Sequence, residues 1–188
     1  MSRQYWTELL FWATADGAAV ANTAVETIIF PNITIPANYM QDGRALRITA
    51  YGRWSNVVTA VPTMTFRGRW GGVGGTVLAA SGAFITPATA TTNAMWSVEL
   101  ILQTRSNGSA GTIFAMGQAG MFEDAAATFG TVLNYGVINP MGSAGVATPA
   151  AVTVDLTADT AFALTATWSA ANASNTLTGH IELLESLN

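Results

Sequence analysis

The chain has 188 residues, half of them hydrophobic and only 10% charged, with a net charge of −4. A single domain of that length buries roughly 70% of the surface its unfolded form exposes, so it needs no metal or disulfide staple. Cysteine is absent, which excludes a disulfide scaffold and a thiol nucleophile, and no apolar run approaches the roughly 20 residues of a membrane helix.

Residues 1–14 are expected to form an N-terminal strand or arm ahead of one domain over 15–188. MSRQYWTELLFW carries Glu8 inside its apolar part and has no small-residue cleavage site, so no secretory signal is expected. Tyr5, Trp6, Leu9, Leu10, Phe11 and Trp12 make the segment too apolar to dangle in water. It is either a first strand buried in its own domain or an arm that docks, through residues such as Tyr5 and Trp6, on a neighbouring subunit.

Period-two alternation dominates the remainder of the chain, and helical periodicity hardly occurs. Strands are expected near 6–13, 24–35, 44–55, 63–70, 75–80, 95–105, 111–122, 150–156, 160–169 and 176–185. In 46–55, Leu46, Ile48, Ala50, Gly52 and Trp54 face one way, and Arg47, Thr49, Tyr51, Arg53 and Ser55 the other. In 63–70, Met64, Phe66, Gly68 and Trp70 oppose Thr63, Thr65, Arg67 and Arg69. In 95–105, Trp96, Val98, Leu100 and Leu102 oppose Ser97, Glu99, Ile101, Gln103 and Arg105. In 161–168, Phe162, Leu164, Ala166 and Trp168 oppose Ala161, Ala163, Thr165 and Thr167. In the last strand, Leu177, Gly179, Ile181 and Leu183 are expected inside, with His180, Glu182 and an apolar Leu184 outside. The expected core therefore includes Trp54, Phe66, Trp70, Trp96, Phe162 and Trp168.

Clusters of Gly, Pro, Asn, Asp and Ser separate these runs, at 36–44, 69–76, 105–112, 139–145, 156–160 and 170–176. Eight to ten short strands punctuated in this way make an all-β fold, an antiparallel sandwich or barrel. Residues 123–148 show no clean period and are expected to be a long loop, with a helical turn near 123–129. Loops of that length are usually functional or docked.

Arginine and aromatic residues alternate through 44–56 and 63–72, which raises nucleic-acid binding. A single-strand platform needs rings and cations on one face, however, and here they fall on opposite faces, with Tyr51 the exception. No nucleic-acid partner is expected. All seven cations are arginine, and six lie in 44–105 with one acid, Glu99. That segment is +5, flanked by −3 before and −6 after. Such charges can satisfy themselves within one fold or between copies. A surface poor in long charged side chains also loses less entropy when another protein covers it.

Few groups could do chemistry. His180 is the sole histidine, and no G-x-S-x-G or H-E-x-x-H pattern occurs. One histidine and no cysteine argue against a transition-metal site. Asp155 and Asp159 bracket a turn, with a Ca²⁺ site as the alternative. Glu123–Asp124 lacks a recognisable second glycosidase carboxylate. GGVGG at 71–75 joins two strands and so lacks the helix N-terminus of a phosphate loop. Three sequons, at Asn32, Asn107 and Asn172, are short patterns in an Asn-, Ser- and Thr-rich chain. No enzyme activity, cofactor, metal or membrane partner is expected.

Several longer motifs carry a resemblance. They are the I-P-A-N turn at 35–38, G-R-x-L-R-I at 43–48, G-R-x-S at 52–55 and T-F-R-x-R-x-G-G at 65–72. W-S-x-E at 96–99, R-S-x-G-x-x-G-T at 105–112 and NTLTGHIELLE at 175–185 complete the set. Together they resemble tailed-bacteriophage virion proteins across most of the chain, except 123–148. The resemblance implies a jelly-roll-like β-sandwich that assembles as a homotrimer on a capsid or tail. The leading expectation is a capsid decoration (cement) protein, made in the host cytoplasm and bound across major capsid subunits on the head. The alternative is a tail-fibre or receptor-binding module for a host-surface glycan, with Tyr39, Phe129 and Tyr135 as candidate contacts. Arg47, Arg53, Arg67 and Arg69 could pair with acidic groups of a virion partner, or be solvated or paired within their own assembly.

Overall fold

The computed structural model describes residues 7–56, 61–88, 90–122, 136–143 and 148–187. The expectations for Tyr5, Trp6, Glu123–Asp124, Phe129, Tyr135 and the turn near 123–129 lie outside the described residues. Every described element is a strand: β1 (Thr7–Trp12), β2 (Val20–Ala21), β3 (Thr27–Ile28), β4 (Ile33–Ile35), β5 (Ala45–Asn56), β6 (Thr63–Trp70) and β7 (Thr76–Ser81), followed by β8 (Phe84–Ile85), β9 (Thr91–Ser106), β10 (Gly111–Met121), β11 (Val137–Gly142), β12 (Val152–Val154), β13 (Thr160–Trp168) and β14 (Thr176–Leu187).

The strands pair antiparallel in the order β1-β14-β5-β9-β10-β11-β7-β6-β13-β3. This path doubles back on itself. β1-β14-β5-β9-β10 form one layer, and β7-β6-β13, extended by β3 and β4, form the other. The Trp96 ring of β9 lies 5.3 Å from the Phe66 ring of β6, so the inward faces meet as a sandwich. β11 pairs with β10 along its length and with β7 at Met141–Gly142, closing one side. The other side stays open between β1 and β4, where Leu10, Ile33, Ile35, Tyr39 and Leu184 line a slot.

The alternation predicted for 46–55, 63–70 and 95–105 holds residue by residue. Trp54, Phe66, Trp70, Trp96, Phe162 and Trp168 all join the core. Each of the four buried indoles also donates to a backbone carbonyl of another segment. Trp54 reaches Phe122 at 2.9 Å, Trp70 reaches Asp155 at 3.1 Å, Trp96 reaches Thr178 at 3.1 Å and Trp168 reaches Val20 at 3.2 Å. A buried N–H without an acceptor is costly, so these bonds fix where each ring sits as well as filling volume. The paired glycines Gly52 and Gly179 leave the space that the rings of Trp96 and Phe30 occupy. A Cβ at Gly52 would meet the Trp96 ring at 2.6 Å, and one at Gly179 would meet the Phe30 ring at 2.3 Å.

The structure corrects the sequence reading in four places. The strand expected over 24–35 is two short pieces, β3 and β4, because Ile29 and Phe30 between them turn into the core. Val137–Gly142, expected to be loop, is β11. Ala163 and Thr165, expected outside, are buried by side chains that lie over them. The largest change is in β14. Between Gly179 and Ile181 the ladder with β5 shifts by one residue, a β-bulge at His180. An inserted residue reverses the facing of everything after it. Ile181 and Leu183 therefore turn outward, while Glu182 and Leu184 are buried.

Candidate functional site

The arginines that the sequence singles out lie on the two outer faces of the sandwich, Arg67 and Arg69 on β6 and Arg47 and Arg53 on β5. The two faces are built from the same kind of strand and end up chemically opposite.

On the β13-β6-β7 layer, Arg67 and Arg69 project outward, as the alternation requires, but they do not reach solvent partners. Glu26, in the loop between β2 and β3, lies across them. Its carboxylate accepts from Arg69 Nε at 2.5 Å and Nη2 at 2.7 Å, a bidentate fork, and from Arg67 Nη1 at 3.3 Å. Thr165 Oγ1 donates to the same carboxylate at 2.5 Å. Arg67 also donates to Thr167 Oγ1 at 2.8 Å, and Arg69 to the Gly75 carbonyl at 2.6 Å. Burial pushes the Glu26 pKa up, but the hydrogen bonds from Arg69 and Thr165 and the charges of both arginines outweigh it and hold it below the usual carboxylate range. The network shields Thr165 and Ala163 from water, since Arg67 and Arg69 sit directly across the ladder from them.

On the β1-β14-β5-β9-β10 layer, the ladders arrange the outward side chains in rows. One row runs Leu9, Glu185, Arg47, Ile101 and Met116. The next runs Trp12, Leu183, Thr49, Glu99 and Gln118, and continues to Pro140 of β11. A third runs Ile181, Tyr51, Ser97, Gly120 and Ile138. Arg53 and Met95 lie beyond it. Leu9, Trp12, Tyr51, Met95, Ile101, Met116, Ile138 and Ile181 are all exposed. Met116 is 51% exposed and Trp12 55%, and no loop of the described chain crosses over them as Glu26 crosses the other face. So many exposed apolar side chains on one face, set among Arg47, Glu99, Glu185 and Gln118, make it the candidate interaction surface.

The four sequence-predicted arginines thus divide. Arg67 and Arg69 are held by Glu26. Arg47 makes a more exposed ion pair, with Nη2 and Nε each 2.8 Å from Glu185 Oε2. Arg53 is exposed and has no hydrogen bond or ion pair among the described residues. Tyr39, a candidate glycan contact, has the Arg44 guanidinium 4.3 Å over its ring. Asp155 Oδ1 accepts from the Thr157 backbone N–H and hydroxyl, and Asp159 Oδ1 accepts from the Ala37 N–H. Both carboxylates therefore serve turns, the second pinning the I-P-A-N turn in which Asn38 has φ +58°.

Sequence reasoning missed Glu26, Glu182 and Glu185 as determinants. Glu182 is the most consequential, because the His180 bulge buries it. Desolvation raises its pKa to about 8, and its Oε2 has no hydrogen-bond partner. The bulge is gripped by the segment after β1: the Ala13 N–H donates to the Glu182 carbonyl and the Gly17 N–H to the Gly179 carbonyl, both at 2.9 Å. His180 Nδ1 lies 2.8 Å from Asp16 Oδ1 in the same segment. One signal for the reversal was present. Leu183 and Leu184 are adjacent, so the alternation after Gly179 fits either phase.

The molecule is an antiparallel β-sandwich with one outer face crossed by an ion-pair network and the other exposing apolar side chains that no described loop covers. No family model matches the sequence, and neither does any curated protein. Among solved structures, the chain is similar to the CBM2 module of the evolved Dit of Lactobacillus casei BL23 phage J-1, at 10% identity and a TM-score of 0.36, over 99% of this chain and 98% of that one.

Proposed function

We propose that the protein is a structural subunit of a tailed-bacteriophage virion, of jelly-roll type, acting as a capsid decoration protein. In this reading it is a homotrimer bound across junctions of the major capsid protein on the head surface. It performs no catalysis and takes no cofactor. The observation that carries the reading is the uncovered apolar face, on a chain whose motifs resemble virion proteins. Most of those motifs fall on β5, β9, β14 and the β9–β10 turn, which belong to that layer, while T-F-R-x-R-x-G-G lies on β6 in the layer beneath and I-P-A-N in the turn after β4.

Function then comes from mass action. A subunit that binds only the assembled shell stabilises the shell in proportion to its occupancy. No reactive group is needed, only surface whose burial is favourable, at roughly 25 cal/mol per Å² of apolar area. Arg67 and Arg69 contribute by holding the fold, because using them on a partner would first require breaking their bonds to Glu26.

Labelling intact particles with an antibody to this chain, or imaging them at subunit resolution, tests the proposal. Regular density on the head surface is the expected result. Density at the tail tip, with adsorption blocked by free host glycans, replaces it with the receptor-binding reading. Absence from the particle overturns both.

A further inference from the structure

The residues of β14 fit the sheet with the bulge in either of two places. Observed at His180, it puts Glu182 opposite Ala50, Leu183 opposite Thr49, Leu184 opposite Ile48 and Glu185 opposite Arg47. Glu182 and Leu184 then face inward, and Ile181 and Leu183 outward. A bulge at Leu184 instead leaves both ends of the ladder where they are, with Gly179 on Gly52 and Glu185 on Arg47. Only the residues between change phase. Ile181 takes the inward place opposite Ala50, Glu182 the outward place opposite Thr49, and Leu183 the inward place opposite Ile48. Each interior place keeps a side chain of similar size, and the carboxyl group leaves the core.

The neighbouring strand is already shaped for the move. In β1, Leu9 pairs with Glu185 and Phe11 with Leu184, so Leu10 has no partner in the ladder. An extra residue at Leu184 falls opposite it. β1 and β14 then run in step, with Leu10 on Leu184, Phe11 on Leu183 and Trp12 on Glu182. Leu10 and Leu184 both line the open slot between β1 and β4, about 200 Å³ in volume, which gives the displaced leucine room.

We propose that β14 has these two registers and that loss of the Glu182 proton moves the bulge from His180 to Leu184. With the carboxyl group neutral, two contacts hold the observed register: His180 Nδ1 to Asp16 Oδ1 at 2.8 Å, and the Ala13 N–H to the Glu182 carbonyl at 2.9 Å. They outweigh one unpartnered oxygen, Oε2. Once ionised, the same group is a buried charge without a counter-ion, which is far more costly. The titratable and charged groups around it are Glu8 on β1, Asp16 after it, Arg47, Tyr51 and Arg53 on β5, His180 and Glu185 on β14, and Tyr39 beside the slot with Arg44 over its ring. None bonds to the carboxyl group, and burial alone raises its pKa to about 8. The move also alters the outer surface. Ile181 and Leu183 leave the candidate interaction face and Glu182 joins it, so ionisation weakens the packing of a partner there. The two registers belong to the single chain and do not rest on the virion reading.

Methyl NMR of the full-length protein with a soluble paramagnetic agent reads the register, because the agent broadens only the methyls it can reach. At pH 5, Ile181 and Leu183 should be broadened and Leu184 protected, as in the observed register. At pH 9, above the raised value of Glu182, Ile181 and Leu183 should lose their broadening and Leu184 should gain it, while Leu46 and Val98 stay protected. Glu182→Leu, which has no proton to lose, should keep the pH 5 pattern at both values. A wild-type pattern unchanged at pH 9 overturns the inference. So does general unfolding there, shown by broadening at Leu46 and Val98. A change that persists in Glu182→Leu overturns Glu182 as the trigger. All of these outcomes are read without capsids, so the virion proposal stands or falls separately, by the labelling experiment.

Discussion

The two outer faces of this sandwich began with the same alternation and diverged because of one loop. On β6, the outward arginines meet Glu26 and become internal staples. On β5, the outward arginines meet one glutamate between them, and the apolar side chains around them stay in water. A count of arginines therefore says little about binding in a protein with so few charges. What matters is whether a carboxylate from elsewhere in the chain arrives over them. Among the described residues, no carboxylate from a distant loop arrives over the β5 face in that way, and its apolar side chains stay exposed.

The same contrast separates two glutamates. Glu26 lies over the sealed layer, among cations, with its pKa lowered. Glu182 lies inside the uncovered layer, among apolar groups, with its pKa raised to about 8. Glu182 gives the largest expected effect. The charged groups on the elements around it are Glu8 on β1, Asp16 in the segment after it, Arg47 and Arg53 on β5, and His180 and Glu185 on β14. None of these bonds to its carboxylate, so burial acts unopposed. The folded state keeps a proton that the unfolded chain releases above its ordinary carboxylate pKa. Stability from this group is full below about pH 4.5 and is lost as pH rises to about 8, beyond which the loss is constant. The loss is on the order of 4 kcal/mol at the top of that window. Urea unfolding from pH 5 to pH 9 should show the decline, and Glu182→Gln should flatten it. Glu182→Leu should raise stability at pH 8 outright, since it removes both the charge and the unpaired oxygen. A wild type equally stable at pH 5 and pH 9 would contradict the burial that the bulge imposes.

Glu26→Ala comes next, and it tests whether the sealed face is sealed by this residue. Removing the carboxylate leaves two part-buried guanidinium groups facing each other across Thr165. The expected cost is about 2–3 kcal/mol, below that of a fully buried pair because water reaches one side. Its pH dependence runs opposite to that of Glu182. Glu26 stabilises the fold above the ordinary carboxylate pKa, and that contribution is lost as the pH falls through its lowered value. Glu26→Gln should therefore be most harmful near neutrality and nearly silent in acid.

How much of this was legible in the sequence depended on the range of the interaction. Facing along β5, β6 and β9 was legible because a strand's period is local and their apolar residues fall in one phase. Arg67 and Arg69 were rightly placed outside, but their partner lies more than 40 residues earlier in the chain, and no local pattern announces it. β11 was not legible, because VINPMG contains proline and lacks alternation; it is a strand because β10 and β7 leave it a place between them. The bulge at His180 was half legible. The glycine before it and the Leu183–Leu184 doublet after it permit a change of phase. Only the packing of Phe30 against Gly179, together with the segment 13–17 gripping the strand, selects it.

The smallest expected effect sharpens the comparison most directly, because it sets one arginine pair against the other. Arg47→Ala removes an ion pair whose arginine is 39% exposed and whose carboxylate has no other ligand among the described residues. The cost to folding should be below about 1 kcal/mol and should shrink with added salt. Arg69→Ala removes a two-pronged bond to Glu26 and a bond to the Gly75 carbonyl, so it should cost about 2 kcal/mol and respond little to salt. Measured in parallel by urea unfolding at low and high ionic strength, the two variants should separate in both size and salt response. Equal costs would mean that the Glu26 loop does not stay over its face in solution, and the distinction between a sealed and an uncovered face would then fail.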